Sequence, residues 1–242
     1  MAAEPLQSAV RAVVEPGGGP RGAGIAALLD GSPRLWRAGR AGAGRQVPVG
    51  DPVGDPAEPL GTGIAALDAL LPGGGWPLGG LTEVLVDCRG IGELRLLTPA
   101  LARLGRAGRW VVWLDPPYVP YAPALAAGGL PLSRTLWVDT GGLDDRLWAA
   151  EQALRHRGCG AVLAWLTGSG GDGREARVMR RLQLAAETGQ SWGVLFRPTR
   201  AESLSSVAVL RLRLDVAEAG IRVGILKCRG RSPAAAVVPL PP

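Results

Sequence analysis

A buried-strand pattern runs without a break into a glycine turn and a helix in Glu83-Val-Leu-Val-Asp-Cys-Arg-Gly-Ile-Gly-Glu-Leu-Arg-Leu-Leu97, and this stretch constrains the chain more than any other. The apolar run reads as a strand, Gly90 and Gly92 as a tight turn, and the spaced leucines as the start of a helix. That order is the setting of a phosphate loop, G-x-x-x-x-G-K-[ST]. Its backbone N–H groups surround phosphates, its lysine reaches the β/γ-phosphates and its hydroxyl holds Mg²⁺. With Gly92 as the second glycine, the first falls on Asp87, the lysine on Glu93 and the hydroxyl on Leu94. Two carboxylates then stand where a polyphosphate would sit, and like charges repel strongly at short range in a partly desolvated loop. Of the 27 Lys and Arg residues only Lys227 is a lysine, so no other G-K-[ST] exists. The stretch reads as a nucleotide-binding scaffold without nucleotide chemistry. The alternative is an ordinary strand, turn and helix with an accidental glycine pair.

A chain of 242 residues fits one α/β domain with appendages. With 37 glycines and 21 prolines, no apolar run reaches the roughly 18 residues of a membrane span. The first residues lack the basic and then apolar pattern of an export signal, so the expectation is a cytoplasmic protein with no membrane partner. Cys88, Cys159 and Cys228 are odd in number and widely spaced, which suits small buried hydrophobes in a reducing compartment. His156 is the only histidine, which excludes His-based triads and Cys₂His₂ or H-E-x-x-H metal sites. No metal and no cofactor is expected. The net charge of +6 favours a polyanionic partner by long-range steering. An arginine-rich coding bias explains the same charge equally well.

Residues 1–59 read as a flexible arm and linker, residues 60–230 as the folded domain and residues 231–242 as a Pro/Ala-rich mobile tail. The arm holds two short helical possibilities, Leu6 to Val14 and Ile25 to Leu29, and four prolines within residues 47–59 make that end extended. Trp36, with Leu28 and Leu29, is a candidate docking anchor. The domain begins with Thr62 capping a short helix through Ile64, Leu67 and Leu71. Strands are expected at 81–86, 110–114, 135–138, 160–166, 191–196, 207–214 and 221–228. Helices are expected from Leu94 to Leu104, from Leu147 to Arg155 and from Arg174 to Glu187, with a kink at Pro99. Strands alternating with helices and then following one another predict a mostly parallel α/β sheet with an antiparallel edge. Trp110, Trp113, Trp137, Trp165 and Trp192 lie in strands and are assigned to the core, whereas Trp36 and Trp76 lie outside strands and are the interface candidates.

Thr62-Gly-Ile-Ala-Ala-Leu-Asp-Ala-Leu71, a glycine-rich turn, Trp76-Pro-Leu-Gly79 and Leu81-Thr-Glu-Val84 together resemble the approach of the RecA recombinase family to its phosphate loop. Leu71-Pro-Gly-Gly-Gly-Trp-Pro77, Gly90-Ile-Gly-Glu-Leu-Arg-Leu-Leu97, Gly160-Ala-Val-Leu-Ala-Trp165, Arg180-Arg-Leu-Gln-Leu-Ala-Ala186 and Leu195-Phe-Arg-Pro198 are similar to the ImuA family, RecA-like accessory proteins of the damage-inducible translesion synthesis cassette. The resemblance runs from about residue 60 to 230. It implies a RecA-like P-loop NTPase core with a degenerate phosphate loop over Asp87, Gly90, Gly92, Glu93 and Leu94. It also implies that the RecA water-orienting carboxylate falls at Pro116 or Pro117 and the Walker B aspartate at Ala164 or Trp165, none of which can serve. Asp115, the nearby carboxylate, reads as a strand-end turn former.

The loops that contact single-stranded DNA in RecA correspond to Thr167–Gly173 and Pro198–Ser205, and both are short. Arg174, Arg177, Arg180, Arg181, Arg197 and Arg200 surround them and are the candidate DNA or partner contacts. A solvated basic face is the alternative. Lys227 and Arg229 match in place the RecA residues that reach a neighbouring subunit, and join Trp36 and Trp76 as candidate partner contacts. The resemblance implies a non-catalytic adaptor in SOS-induced translesion synthesis and DNA repair. Its partners would be RecA, or the Y-family-like cassette partner ImuB with a DnaE-type polymerase, with weak single-stranded DNA contact. The alternatives are a SulA-like cell-division inhibitor and a DNA-stimulated ATPase or recombinase.

Overall fold

A computed structural model describes residues 10–13, 60–140, 142–166, 173–228 and 234–239. Its strands are β1 (Val10–Val13), β2 (Leu81–Leu85), β3 (Trp110–Leu114), β4 (Thr135–Asp139), β5 (Cys159–Trp165), β6 (Trp192–Arg197), β7 (Leu210–Ala217), β8 (Gly220–Cys228) and β9 (Ala234–Val238). Its α-helices are α1 (Ala65–Asp68), α2 (Glu93–Arg106), α3 (Ala122–Ala127), α4 (Leu143–Arg155) and α5 (Gly173–Gly189). The strands form one sheet in the order β1-β4-β3-β5-β6-β2-β7-β8-β9. Pairing is parallel from β1 to β7 and antiparallel for β7 with β8 and β8 with β9.

The central strands are apolar on both faces because both are covered. Val111, Trp113, Leu163, Trp165, Val194 and Phe196 point toward α1 and α2. Val112, Leu114, Val162, Ala164 and Leu195 point to the opposite side, against α4 and α5. On the α2 side Trp165 stacks on Phe196 with ring centroids 4.6 Å apart, and Trp76 stacks on Trp192 at 4.9 Å. Trp192 donates from Nε1 to the Thr82 hydroxyl at 2.9 Å, so the ring is both packed and hydrogen-bonded.

Three local expectations differ from the structure. Residues 10–13 are a strand beside β4 rather than part of a helix, in keeping with the valines at both ends of Val-Arg-Ala-Val. The tail is not uniformly loose, because Ala234–Val238 pairs along β8 and buries Val238. Helix α2 holds Pro99 within it, as expected, and Pro99 packs against the left-handed Gly63. The missing N–H costs up to ~3 kcal/mol, but burial of Leu96, Leu97, Leu101 and Leu104 contributes ~1.5–3 kcal/mol each, so packing wins. Trp76, expected at an interface, is fully buried. The remaining residues of the expected arm, including Ile25 to Leu29 and Trp36, lie outside the described residues.

Candidate functional site

All the parallel strands end on one side of the sheet, and in open α/β sheets ligands bind outside those carboxyl ends. Here that edge carries the turn after β2, the Asp115 loop after β3 and the segment after β6. The β2–α2 turn takes its shape from Gly90 and Gly92, both at positive φ, with Gly92 capping α2. Glu93 is the first residue of α2 and is buried; its Oε1 accepts the Gly90 N–H at 3.1 Å. Its Oε2 is buried with no hydrogen-bond partner among the described residues. Asp87 accepts the Thr199 N–H at 2.9 Å and the Thr199 hydroxyl. Those bonds hold the exposed Asp87 carboxyl below its ordinary range. Both carboxylates therefore remain in the turn as hydrogen-bond acceptors, pinned to protein donors.

Between this turn and the β6 end lies a cleft of about 330 Å³, walled by Asp87, Arg89, Glu93, Trp165, Phe196 and Arg200. Leu94, the third degenerate position, is half-buried and packs on the hydrophobic core. Ala164 and Trp165, at the expected aspartate position, are buried.

Beneath the cleft sits a cluster that sequence reasoning missed. Glu83, in the middle of β2, is fully buried and accepts from Arg197 at 2.9 Å, Arg211 at 2.6 Å and the Ser206 hydroxyl at 2.9 Å. Arg197 also donates to Glu175 at the start of α5, and Arg211 to the Ala201 carbonyl at 2.7 Å. The network joins β6, β2 and β7 to the segment leading out of the cleft. The available signal was a glutamate inside Leu81-Thr-Glu-Val-Leu85, because a central strand has no solvent face and its charge must be paired.

This placement corrects Arg197 as a surface contact: its guanidinium is buried between two carboxylates. Arg211, on the side of β7 opposite Leu210 and Leu212, is likewise buried. Arg177, Arg180 and Arg181 are exposed on α5, and Arg181 is paired with Glu151 of α4. Arg177 and Arg181 line a groove with Asp144 and Glu151, so the positive charge there is offset. Of the six expected arginines, Arg197 and Arg200 line the cleft, beside Arg89. Arg174 is the second residue of α5; its side chain, Arg229 and most of the Thr167–Gly173 loop lie outside what is described. Lys227 is exposed and donates to the Ser206 carbonyl at 2.6 Å, far along β8.

Asp115 has φ 44° and accepts from the Thr140 N–H and hydroxyl and from Arg146. Arg146 in turn donates to the Trp165 carbonyl at 2.7 Å. Asp115 thus ties the ends of β3, β4 and β5 together, the turn-forming role read from the sequence. Beyond it Tyr118, Val119 and Tyr121 are exposed at the same edge. Cys159 is buried and Cys228 half-buried, but Cys88 is exposed in the turn, which corrects its expected burial. Among the described residues no group of three or more His, Cys, Asp or Glu side chains is disposed to hold a metal, and no helix is long and apolar enough to cross a membrane.

The model of the family "Cell division inhibitor SulA" matches residues 81–193, from the first residue of β2 into β6. A cell division inhibitor SulA of Serratia marcescens is 30% identical over 120 residues, which span 50% of this chain and 68% of that protein. The chain belongs to the SulA family. Another SulA, from Klebsiella aerogenes, is 34% identical over 108 residues, 45% of this chain and 62% of that protein. The chain thus spans about three-fifths of the length of the first curated SulA relatives it matches. Protein ImuA of Caulobacter vibrioides is 32% identical over 145 residues, 58% of this chain and 57% of that protein. The SulA-family match contains the degenerate turn, α2 and the Asp115 loop, and stops short of Arg197, Arg200 and Arg211.

Proposed function

We propose that this SulA-family chain is a non-catalytic adaptor on a RecA-like scaffold, acting in SOS-induced translesion DNA synthesis and DNA repair. It engages RecA, or the ImuB-type cassette partner with its DnaE-type polymerase, in the cytoplasm. The observation that carries the reading is the β2–α2 turn, where a nucleotide-binding loop would offer a lysine and a hydroxyl and this chain offers Asp87 and Glu93 hydrogen-bonded to its own backbone. A turn that offers two carboxylates in place of the lysine and hydroxyl lacks the groups that hold a triphosphate and its Mg²⁺. The similarity to ImuA also extends over 145 residues against 108 and 120 for the two SulA relatives. That wider span favours the translesion reading over division control.

The experiment is to add the full chain, below one-to-one stoichiometry, to RecA filaments on single-stranded DNA and follow their ATPase rate and disassembly. A marked change is the expected result; no change removes RecA and transfers the proposal to ImuB and the polymerase. ATP turnover by the chain alone, stimulated by single-stranded DNA, would defeat the non-catalytic reading. A second reading, division inhibition, is favoured by the family match over residues 81–193. Its measurement is assembly of the tubulin-like division protein with and without the chain.

A further inference from the structure

The antiparallel end of the sheet closes on a strand with nothing beyond it. Strand β9 is the last in the sheet order, so among the described residues the backbone groups on its outer side have no ladder partner. Natural edge strands are guarded against other chains by charged side chains, an internal proline or a bulge. Strand β9 has none of these: it reads Ala-Ala-Ala-Val-Val and pairs with β8 over all five residues without a shift in register. The opposite edge strand, β1, includes Arg11 in its sequence. Ala235 and Val237 of β9 are exposed, Val237 at 43%, whereas Val238 is fully buried. Pro233 and Pro239 flank the strand in the sequence, and since neither has a backbone N–H they confine a further ladder to the five residues between them. The occupant follows from that chemistry. A foreign strand added to a sheet edge owes its specificity to pockets for alternate side chains, and a row of alanines and valines offers no pocket and no charge. A second β9 needs neither. A two-fold contact presents one patch to itself, so a charged patch would face its like and an uncharged one does not. Antiparallel register centred on Ala236 is the one that uses all five residues: Ala236 meets its own copy, Ala235 stands opposite Val237 and Ala234 opposite Val238, a small side chain against a larger one in each unlike pair. Whichever alternate set of N–H and C=O groups points outward, this register brings that set against itself.

We propose that β9 is a homodimer contact, at which two copies of this chain join edge to edge through antiparallel β9 strands into one continuous sheet. Because the two β9 strands run in opposite directions, the carboxyl ends of the parallel strands, and the clefts beside them, lie at opposite sides of the joint sheet. Five residues make a small contact, so the association varies with concentration rather than being permanent. The inference goes beyond the adaptor reading and does not depend on it.

The test is sedimentation equilibrium of the full chain from micromolar to near-millimolar concentration. The mass is expected to rise from 25.0 kDa toward twice that value and to stop there. Ala235→Lys and Val237→Lys, both at exposed positions, each set two lysines diagonally across the two-fold axis and are expected to weaken the dimer roughly tenfold or more, with circular dichroism and the urea midpoint unchanged. The double change Ala235→Lys, Val237→Glu places each lysine opposite a glutamate of the other copy and is expected to restore association. A chain that stays at 25.0 kDa throughout, a dimer that both lysine variants leave intact, or a mass that climbs past the dimer overturns the proposal. A double variant no more associated than the single lysine variants overturns the register centred on Ala236.

Discussion

Thr199 controls Asp87 more directly than any charge nearby, since its two hydrogen bonds lead the causes that lower that carboxyl's pKa. A depressed carboxyl stabilises the fold above its ordinary value of 3.8 and loses that contribution as pH falls through the lowered value. Thr199→Val is therefore expected to move the Asp87 pKa up toward 3.8, read by carboxyl ¹³C NMR; an unmoved titration would show that Arg213 and Arg200 set it instead. The cysteines give a second prediction at this scale. Burial pushes the Cys159 thiol up to about 12, whereas Cys88 is exposed in the turn. Since the thiolate is the reactive form, an alkylating reagent at pH 8 should label Cys88 in the native chain and Cys159 only on unfolding, as mapped by mass spectrometry. The neutral buried Cys159 contributes its stability fully below the ordinary thiol value of 9.0, and loses it as pH climbs toward 12. Single residues were only partly legible in advance. Asp115 announced itself as a turn former by following Trp113-Leu114 and preceding two prolines. Trp76 did not announce its burial, because its partner Trp192 lies more than a hundred residues further on and no local pattern encodes that stacking.

At the scale of elements, β2 is the strand on which the others depend, and Glu83 is its most exacting position. Removing one member of a buried ion network leaves charges stranded at a cost of ~3–5 kcal/mol, while replacing the whole set with well-packed apolar groups is often neutral or better. Glu83→Ala is accordingly expected to lower the urea midpoint sharply or prevent folding, because Arg197 and Arg211 lose their shared acceptor. The triple change Glu83→Leu, Arg197→Met, Arg211→Leu should recover most of the loss; a triple variant as unstable as the single one would contradict this account. Elements were the most legible level of the sequence. Trp110 to Leu114 and Gly160 to Leu166 are apolar throughout, and both became central strands buried on the sheet's two faces. Arg211 is instructive: it alternates with Leu210 and Leu212, a pattern that suits a half-exposed strand, yet its inner neighbour in register is Glu83, in a strand with no exposed side. Where a charge can be paired across the sheet, period-two patterning reports the two faces but not which of them is wet.

For the whole molecule, the sheet extends beyond the stretch that carries the family resemblance. Strands β7, β8 and β9 follow the matched residues 81–193 and continue the sheet from β2 outward. Ending the chain after Cys228 removes β9, uncovers the outer edge of β8 and frees Val238, which is fully buried. A loss of ~1.5–3 kcal/mol is expected from that side chain, and an open apolar edge invites pairing between chains. Size-exclusion chromatography should show larger species and urea unfolding a lower midpoint; a monomer of unchanged stability would mean β9 contributes nothing. This edge was the least legible part of the fold, because Ala-Ala-Ala-Val-Val in a proline-rich tail has no alternation to mark it.

The ribosome meets the central ion network in an awkward order. Strand β2 emerges early, yet Arg211 follows Glu83 by 128 residues. At a synthesis rate of ~5–20 residues per second, β2 waits roughly 6–26 s for β7, most of it with both edges unpaired because β6 is also made late, and its glutamate lacks that counter-ion throughout. Until β7 arrives, water must solvate Glu83, so the strand at the heart of the finished sheet is among the last to be sealed during translation.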